Sequence, residues 1–441
     1  MKFDQLYGRS VVILGFGTEG QATYEFLRGK WPGKELTIAD QRELTEFPED
    51  LVRKLQKDRA TKLNFGPAYL ASKAEVVIKT PGIPASKLHA NGSKLTSHAQ
   101  IFLSNYPRER IIGVTGTKGK STTTSLIYHM LRRGGLPAEL VGNIGQPPLA
   151  RLATAAPGSY FVHEFSSHQL AEVESSPHIA VLLNIVPEHL DYYASFEEYV
   201  SAKENITRFQ TAQDFLIFNP AHPILNAIAG RTKAALKPFH ATDEDARQLG
   251  SLPLVGKFNL ENVMAAVTAA SLVAVGQEAI RAAIKEFRPL PHRLELVGTF
   301  NGITFYDDSI ATVPDATLAA LDALGADVQT LILGGHERNL DFTEFGRRLP
   351  DNIRTVILFP PTGKRIWKAI HDNSRNAALP SPFPVTHMEE AVKIAYAKTE
   401  RGKICLLSPA SPSFGIFRDY RERGDSFKAL VKDLSNAGGN R

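Results

Sequence analysis

Residues Ile111 to Met130 set an apolar run, Ile111-Ile112-Gly113-Val114-Thr115, against the loop Gly116-Thr117-Lys118-Gly119-Lys120-Ser121-Thr122. Leu126, Ile127, Met130 and Leu131 then recur at helical spacing. Strand, glycine-containing loop and helix in that order constrain the chain to an open sheet with a phosphate site at a strand end. Loop N–H groups and the helix N-terminus face phosphate oxygens, Lys120 reaches the terminal phosphates, and the Ser121 hydroxyl can ligate Mg2+. The usual first glycine, six residues before the lysine, is Val114 here. The loop argues for a nucleoside triphosphate and does not name the reaction.

At 441 residues, and with about 150 residues per domain, two to four domains are expected, each able to bury its own core. The net charge of +5 is dispersed rather than gathered into a basic tail or an aromatic-basic stripe, so small anionic substrates are expected and nucleic acid is not. Cys405, the only cysteine, lies in an apolar run and reads as a buried thiol that suits a reducing cytoplasm. No run approaches the ~18 apolar residues of a membrane span and no leader core is evident, so a cytoplasmic protein without membrane insertion is expected.

The first hundred residues read as a second nucleotide unit. Strand Ser10–Leu14 precedes Gly15-Phe16-Gly17-Thr18-Glu19-Gly20, a helix follows, and strand Leu36–Ala39 ends in Asp40, where a ribose-binding acid belongs. A structural tight turn is the alternative. Strand Glu75–Lys79 leads into Thr80-Pro81-Gly82-Ile83-Pro84, a rigid turn at a ligand-binding edge.

Beyond the phosphate loop, Asn143 stands in a glycine-rich loop that presents its amide to a ligand or simply turns the chain. Strand Tyr160–His163 ends in Glu164, the first candidate for a Mg2+ carboxylate, and Ser166 to Gln169 can cap the next helix. Strand Ile179–Leu183 leads to Glu188, His189 and Asp191, more ionisable groups than a loop requires. Lys203 reads as an exposed helical lysine. Asn259 and Asn262 precede an alanine-rich helix, Val263 to Val275, and either read a base edge or, for Asn259, cap that helix. In the last third, three strands end in Asp307-Asp308-Ser309, Gly334-Gly335-His336-Glu337-Arg338 and Ser408 to Phe414, which describes another open α/β sheet with ligands at its strand ends. Arg421 and Arg423 read as a solvated helix face.

Taken in order, Thr115 to Ser121, Gly142-Asn143-Ile144-Gly145, the glutamate and serines from 164, Asn184 to Asp191, Lys203, the paired asparagines, Pro291 to Glu295, Asp307-Asp308-Ser309 and Leu407 to Phe414 with Arg423 to Phe427 resemble the Mur ligases. Among these, the chain is most similar to the branch that joins D-glutamate to UDP-N-acetylmuramoyl-L-alanine in peptidoglycan precursor synthesis. The resemblance implies an α/β fold of three domains: a Rossmann-like UDP-substrate domain (1–98), a central P-loop ATPase domain with a mainly parallel sheet (99–289), and a Rossmann-like amino-acid domain (290–441). It implies ATP and two Mg2+ ions as cofactors, an acyl-phosphate intermediate, and a protein acting as a monomer.

Carried over by the same resemblance, Lys120, Glu164, His189 and Lys203 are catalytic. Ser121 and Glu164 hold the first metal, and His189 with a carbamylated Lys203 supports the second. Gly116 to Thr122, Asn259, Asn262, Arg293 and Asp308 bind ATP. Gly15, Gly17, Asp40 and Thr80 meet the UDP moiety, with Asn143, Ser166, Gln169 and His189 toward the muramoyl-alanine end. Thr312, Arg338, Ser413, Phe414 and Tyr420 receive the amino acid. Two departures bear on that last substrate: Ile310 stands where these enzymes usually have lysine, and Arg338 replaces another lysine. The loss at 310 resembles a subgroup that adds L-glutamate, the alternative substrate. A dehydrogenase would leave the phosphate loop without a task, a folylpolyglutamate-synthase-like ligase would not need the first nucleotide unit, and an inactive nucleotide-binding regulator is at odds with the intact Lys120, Ser121, Glu164, His189 and Lys203.

Overall fold

The computed structural model describes residues 1–441 apart from 73, 85–87, 89–91, 189–191, 243, 245–255, 376–377 and 438–441. The described strands form three sheets. Contacts divide the chain into two compact units, 1–251 with 258–287, and 252–257 with 288–441.

The first unit holds two wholly parallel sheets. In one, β1 (Val11–Leu14), β2 (Leu36–Asp40), β3 (Thr61–Phe65), β4 (Val76–Lys79) and β5 (Lys94–Ser97) run in the order β3-β2-β1-β4-β5. The order reverses between β1 and β4, where such sheets bind ligands beyond their carboxyl ends; Gly15 follows β1 and Thr80 follows β4. Sequence patterning identifies β1, β2 and β4 because they are continuously apolar. It misses β3 and β5 because an edge strand carries polar residues on its open side, as Thr61-Lys62-Leu63-Asn64 and Lys94-Leu95-Thr96 do.

The other sheet contains β6 (Ile111–Thr115), β7 (Ala138–Gly142), β8 (Tyr160–Glu164), β9 (Ile179–Leu182), β10 (Phe215–Phe218) and β11 (Ala235–Pro238), in the order β11-β10-β9-β6-β8-β7. β6 is flanked by β8 and β9, and the helix Lys120–Arg133 follows its loop. Val114 sits inside β6, fully buried and paired with Glu164 and Val181. A glycine is unnecessary there because the loop begins only at Gly116. One apolar core runs through both sheets, joining Ile13, Phe16 and Ile78 to Phe161, Phe165 and Ala180, with each Ile or Phe worth about 1.5–3 kcal/mol in burial.

The second unit carries a mixed sheet of β12 (Glu295–Phe300), β13 (Ile303–Asp307), β14 (Val328–Gly334), β15 (Thr355–Phe359), β16 (Ser381–Pro384) and β17 (Ile404–Leu407), in the order β12-β13-β17-β14-β15-β16. β12 is antiparallel to β13 across the Asn301-Gly302 turn and the remaining pairs are parallel. Cys405 is fully buried on β17, and burial pushes its thiol well above the ordinary range. Arg421 is exposed as expected, but Arg423 is not part of a solvated face. It is 1% exposed; Nε and Nη2 donate to Ser309 Oγ (3.0 Å) and Ser309 O (2.8 Å), and Nη1 donates to Ser411 O (3.1 Å). It fastens the loops after β13 and β17 to the helix Tyr420–Ala437.

Asp308 lies within this cluster. Its Oδ1 accepts from Leu294 N (3.2 Å) and its Oδ2 from Ser408 Oγ (2.9 Å), and burial pushes its carboxyl up to about 7. An unfolded aspartate ionises near ~3.9. Between those two values the folded chain holds a proton that the unfolded chain has released, so stability must fall as pH rises through that window. Urea midpoints measured from pH 4 to 7 are expected to decline in the parent and to be flatter in Asp308→Asn; parallel slopes would mean that Asp308 ionises freely in the folded state.

Candidate active site

The phosphate loop is held in shape by segments far from it in sequence. Thr117 N donates to Asn184 O (2.8 Å) and Lys118 N to Asn184 Oδ1 (2.8 Å), while Asn184 Nδ2 donates to Lys118 O (3.0 Å). The Thr117 hydroxyl lies 3.0 Å from Tyr199 Oη, accepts from Val186 N (3.0 Å) and bonds Val186 O at 3.2 Å. Thr117 is 3% exposed and its side chain serves the loop's architecture, while Thr122, 2% exposed, is buried in the first turn of the helix that follows. Lys118 Nζ pairs with Glu188 at 2.9 Å. Gly119 is left-handed at φ 87°, and a Cβ there would meet Asn262 Oδ1 at 2.1 Å.

That contact places the paired asparagines against the loop. Asn262 Nδ2 donates to Asn259 Oδ1 (3.1 Å), and Thr123 Oγ1 to Asn262 Oδ1 (3.3 Å). The helix runs Lys257–Leu272 rather than from Val263. Asn259 is therefore within its first turn rather than before it, which removes the capping alternative.

Lys120 Nζ folds back on Gly116 O (3.0 Å) and Thr117 O (2.8 Å). Lys203 Nζ donates to the same Gly116 carbonyl at 2.7 Å and lies 4.8 Å from the Tyr199 ring centre. Lys203 is 1% exposed, not the exposed lysine that composition suggests. Burial, and then the neighbouring Lys120 charge, hold its amine well below the usual lysine range.

Glu164 ends β8 directly beside β6. It is 3% exposed, and its Oε2 is buried without a hydrogen-bond partner. A buried carboxylate oxygen without a donor, next to the Ser121 end of a phosphate loop, suits a divalent cation. His189, the expected second-metal ligand, lies outside the described residues together with Leu190 and Asp191.

Two clefts open on this side of the first unit. One, of about 250 Å3, is lined by Gly15, Gly17, Asp40, Arg42, Tyr69, Thr80 and Pro84 among others, so the predicted UDP-site residues Gly15, Gly17, Asp40 and Thr80 meet in one place. Asp40 is a brace there rather than a free ribose acceptor. Its oxygens take Phe16 N (2.6 Å), Arg42 N (2.9 Å) and the Arg42 guanidinium (3.0 and 3.1 Å), and these donors hold its carboxyl below the ordinary range despite burial.

The second cleft, about 290 Å3, brings together Lys120, Asn143, Ser166 and Lys203 with Pro81, Gly82, Ser167, His168, Tyr192 and Tyr199. Gln169 does not line it. Its side chain accepts from Ser166 N (2.8 Å) and donates to Glu19, while Ser166 Oγ accepts from Gln169 N (3.1 Å), a reciprocal cap. Sequence reasoning missed Tyr192, Tyr199, His168 and Asn184. Only Tyr199 left a signal, four residues before Lys203 and so on the same helical face.

In the second unit, His336 N donates to Pro412 O (2.7 Å), and the rings of His336 and Phe414 are 6.1 Å apart. The strand-end loops bearing Arg338, Ser413 and Phe414 are thereby joined. Ser413 is buried, Phe414 is 48% exposed, and Arg338 is exposed. Tyr420, whose carbonyl accepts from Ser309 Oγ (2.8 Å), packs its ring on His292 at 5.9 Å. Thr312 is half-buried on the loop after Ser309. Arg293 keeps a buried Nε without a partner, whereas both Asp308 oxygens are already bonded within the unit.

Comparison with known proteins agrees with this geometry. Residues 114–249 match the model of the Mur ligase middle domain, and residues 292–411 match that of the Mur ligase glutamate ligase domain. The UDP-N-acetylmuramoylalanine–D-glutamate ligase of Acetivibrio thermocellus is 33% identical over 98% of this chain and 97% of its own. The UDP-N-acetylmuramoyl-L-alanine–L-glutamate ligase of Xanthomonas axonopodis pv. citri is 32% identical over 98% and 97%. Among solved structures, MurF from Acinetobacter baumannii superimposes with a TM-score of 0.61 at 16% identity over 96% of this chain and 93% of its own. With both family models matched and full-length relatives at this identity, the chain belongs to the Mur ligase family.

Proposed function

We propose that this protein uses ATP to join glutamate to UDP-N-acetylmuramoyl-L-alanine in the cytoplasm, with the three-domain division 1–98, 99–289 and 290–441. The observation that carries the reading is the convergence of Lys120 and the buried Lys203 on the Gly116 carbonyl, with the unpartnered Glu164 oxygen on the adjoining strand, beside a separate cleft at the Gly15 turn. The γ-phosphoryl group passes to the free carboxylate of the nucleotide substrate, giving an acyl phosphate and ADP. The glutamate amine then attacks the acyl carbon and loses a proton, phosphate departs, and an amide remains. Two anions must approach for the first step, so a fixed positive environment contributes most of its rate. The loop N–H groups and Lys120 supply it, while Asn143 and Ser166 are placed to orient the carboxylate end.

Two Mg2+ ions, one held by Ser121 and Glu164 and one by His189 and a Lys203 carbamate, would neutralise charge on the phosphate oxygens. Lys203 suits that modification because burial disfavours its ammonium form, and the unprotonated amine is the form that adds CO2, releasing one proton as the carbamate forms. Arg338, Thr312, Ser413, Phe414 and Tyr420 are the residues for the incoming amino acid, and Asn259, Asn262, Arg293 and Asp308 for the nucleotide of ATP. D-glutamate is the first reading of the substrate. Ile310 and the 32% identity to an L-glutamate-adding relative keep L-glutamate as the second.

Phosphate release from ATP, Mg2+ and UDP-N-acetylmuramoyl-L-alanine is expected to depend on D-glutamate; dependence on L-glutamate instead would establish the second reading, and silence with both would overturn the assignment. Lys120→Ala should lower substrate-dependent turnover by at least about 100-fold, and unchanged turnover would rule out the phosphate-loop role. Degassed, bicarbonate-free enzyme should regain activity on adding bicarbonate, with a carbamate carbon visible by 13C NMR that Lys203→Met lacks. A bicarbonate-insensitive enzyme without that resonance would mean Lys203 acts as a plain amine.

A further inference from the structure

Glu19 is unusual for its place. It stands in the first turn of the helix Thr18–Lys30, which follows the glycine turn of the nucleotide cleft. An unbraced carboxylate there would repel a phosphate approaching the helix N-terminus. Its Oε1 instead accepts from Gln169 Nε2, and Oε2 is buried without a partner. Gln169 in turn holds Ser166 through the reciprocal cap, and Ser166 and Ser167 line the phosphoryl-transfer cleft.

A second link runs alongside. Lys79 ends β4, 2% exposed, and its Nζ bonds Glu172 Oε1 at 3.0 Å. Lys79 directly precedes Thr80-Pro81-Gly82, a turn that lines both clefts. The nucleotide turn packs tightly on this segment: a Cβ on Gly15 would come within 2.0 Å of Thr80 Oγ1, and one on Gly20 within 2.0 Å of Gly15 O. Two polar links, with the charge order Glu19, Lys79, Glu172, therefore tie the walls of the nucleotide cleft to residues 166–172 of the catalytic cleft.

We infer that Glu19 and Gln169 are positioning residues that set the register between the two clefts, so that a substrate held by its nucleotide end presents its carboxylate to the phosphoryl group. The inference rests on the ligase reading above. A substrate anchored at one end and reacting at the other is sensitive to such register, since a displacement of about 1 Å can cost about 100-fold in rate.

Two single variants and one isosteric double variant test it by steady-state kinetics on the full chain. Glu19→Met cuts the link. Gln169→Glu keeps the helix cap, because glutamate serves as well at that position, but sets two carboxylates face to face. Each should lower kcat at least about tenfold while the KM values for ATP and the nucleotide substrate stay within about twofold. The double variant Glu19→Gln with Gln169→Glu reverses donor and acceptor and should restore kcat to within about threefold of the parent. Singles that keep parental kcat, or a double variant as impaired as Gln169→Glu alone, would overturn the register role, as would losses confined to KM or to thermal midpoint. Parental turnover tests the ligase reading independently; a parent without turnover overturns that reading and this inference with it.

Discussion

The Gly116 carbonyl oxygen receives hydrogen bonds from two lysine amines, and the chemistry of the catalytic cleft follows from that crowding. Two ammonium groups cannot share one oxygen in a buried setting without a large electrostatic cost. The ammonium form is disfavoured most on the amine with less access to water, and Lys203, at 1% exposure, is that amine. The loop that seats Lys120 thus also biases the buried Lys203 beside it toward its unprotonated form.

The loop does not hold this geometry alone. Asn184 fixes Thr117 and Lys118 from the end of β9, and Tyr199 holds Thr117 from the helix Phe196–Arg208, which also delivers Lys203. Because these anchors sit on the neighbouring strand and its following helix, the loop's shape reports the integrity of the whole parallel sheet. Glu164 obeys the same logic: strand pairing sets it opposite Val114, two residues before the loop begins.

Local pattern carried much of this. Strand, loop and helix around Lys120, the fingerprint at Gly15 to Gly20, and the acid at the end of β8 are all read from neighbouring residues. What escaped depends on contacts distant in sequence. Lys203 and Arg423 look like solvated helical cations because nothing within a turn of either reports that another segment covers it. Arg423 is buried through bonds to Ser309 and Ser411, 114 and 12 residues away. Asp40 lines the first cleft and Gln169 lies behind the second, yet the side chains of both bond within the protein, a distinction that residue type cannot make. Edge strands β3, β5 and β16 escaped because their polar or proline residues suit a sheet margin.

The burial of Arg423 also bears on how the second unit recognises an acidic amino acid. Lysine is replaced by Ile310 on the loop after β13, and Arg423, tied to Ser309 on that same loop, would be the obvious substitute. Three of its N–H groups are already given to Ser309 and Ser411, and withdrawing them would leave buried acceptors unpaired at about 1–3 kcal/mol each. Its guanidinium is therefore a structural fastener. Arg338, exposed on the loop after β14 that His336 binds to the Pro412 loop, keeps its planar fork directed to solvent, and that fork can grip a carboxylate with two parallel bonds where lysine offers only a point charge. On the function proposed above, the side-chain carboxylate of glutamate is assigned to Arg338 rather than to a group on the loop that lost its lysine.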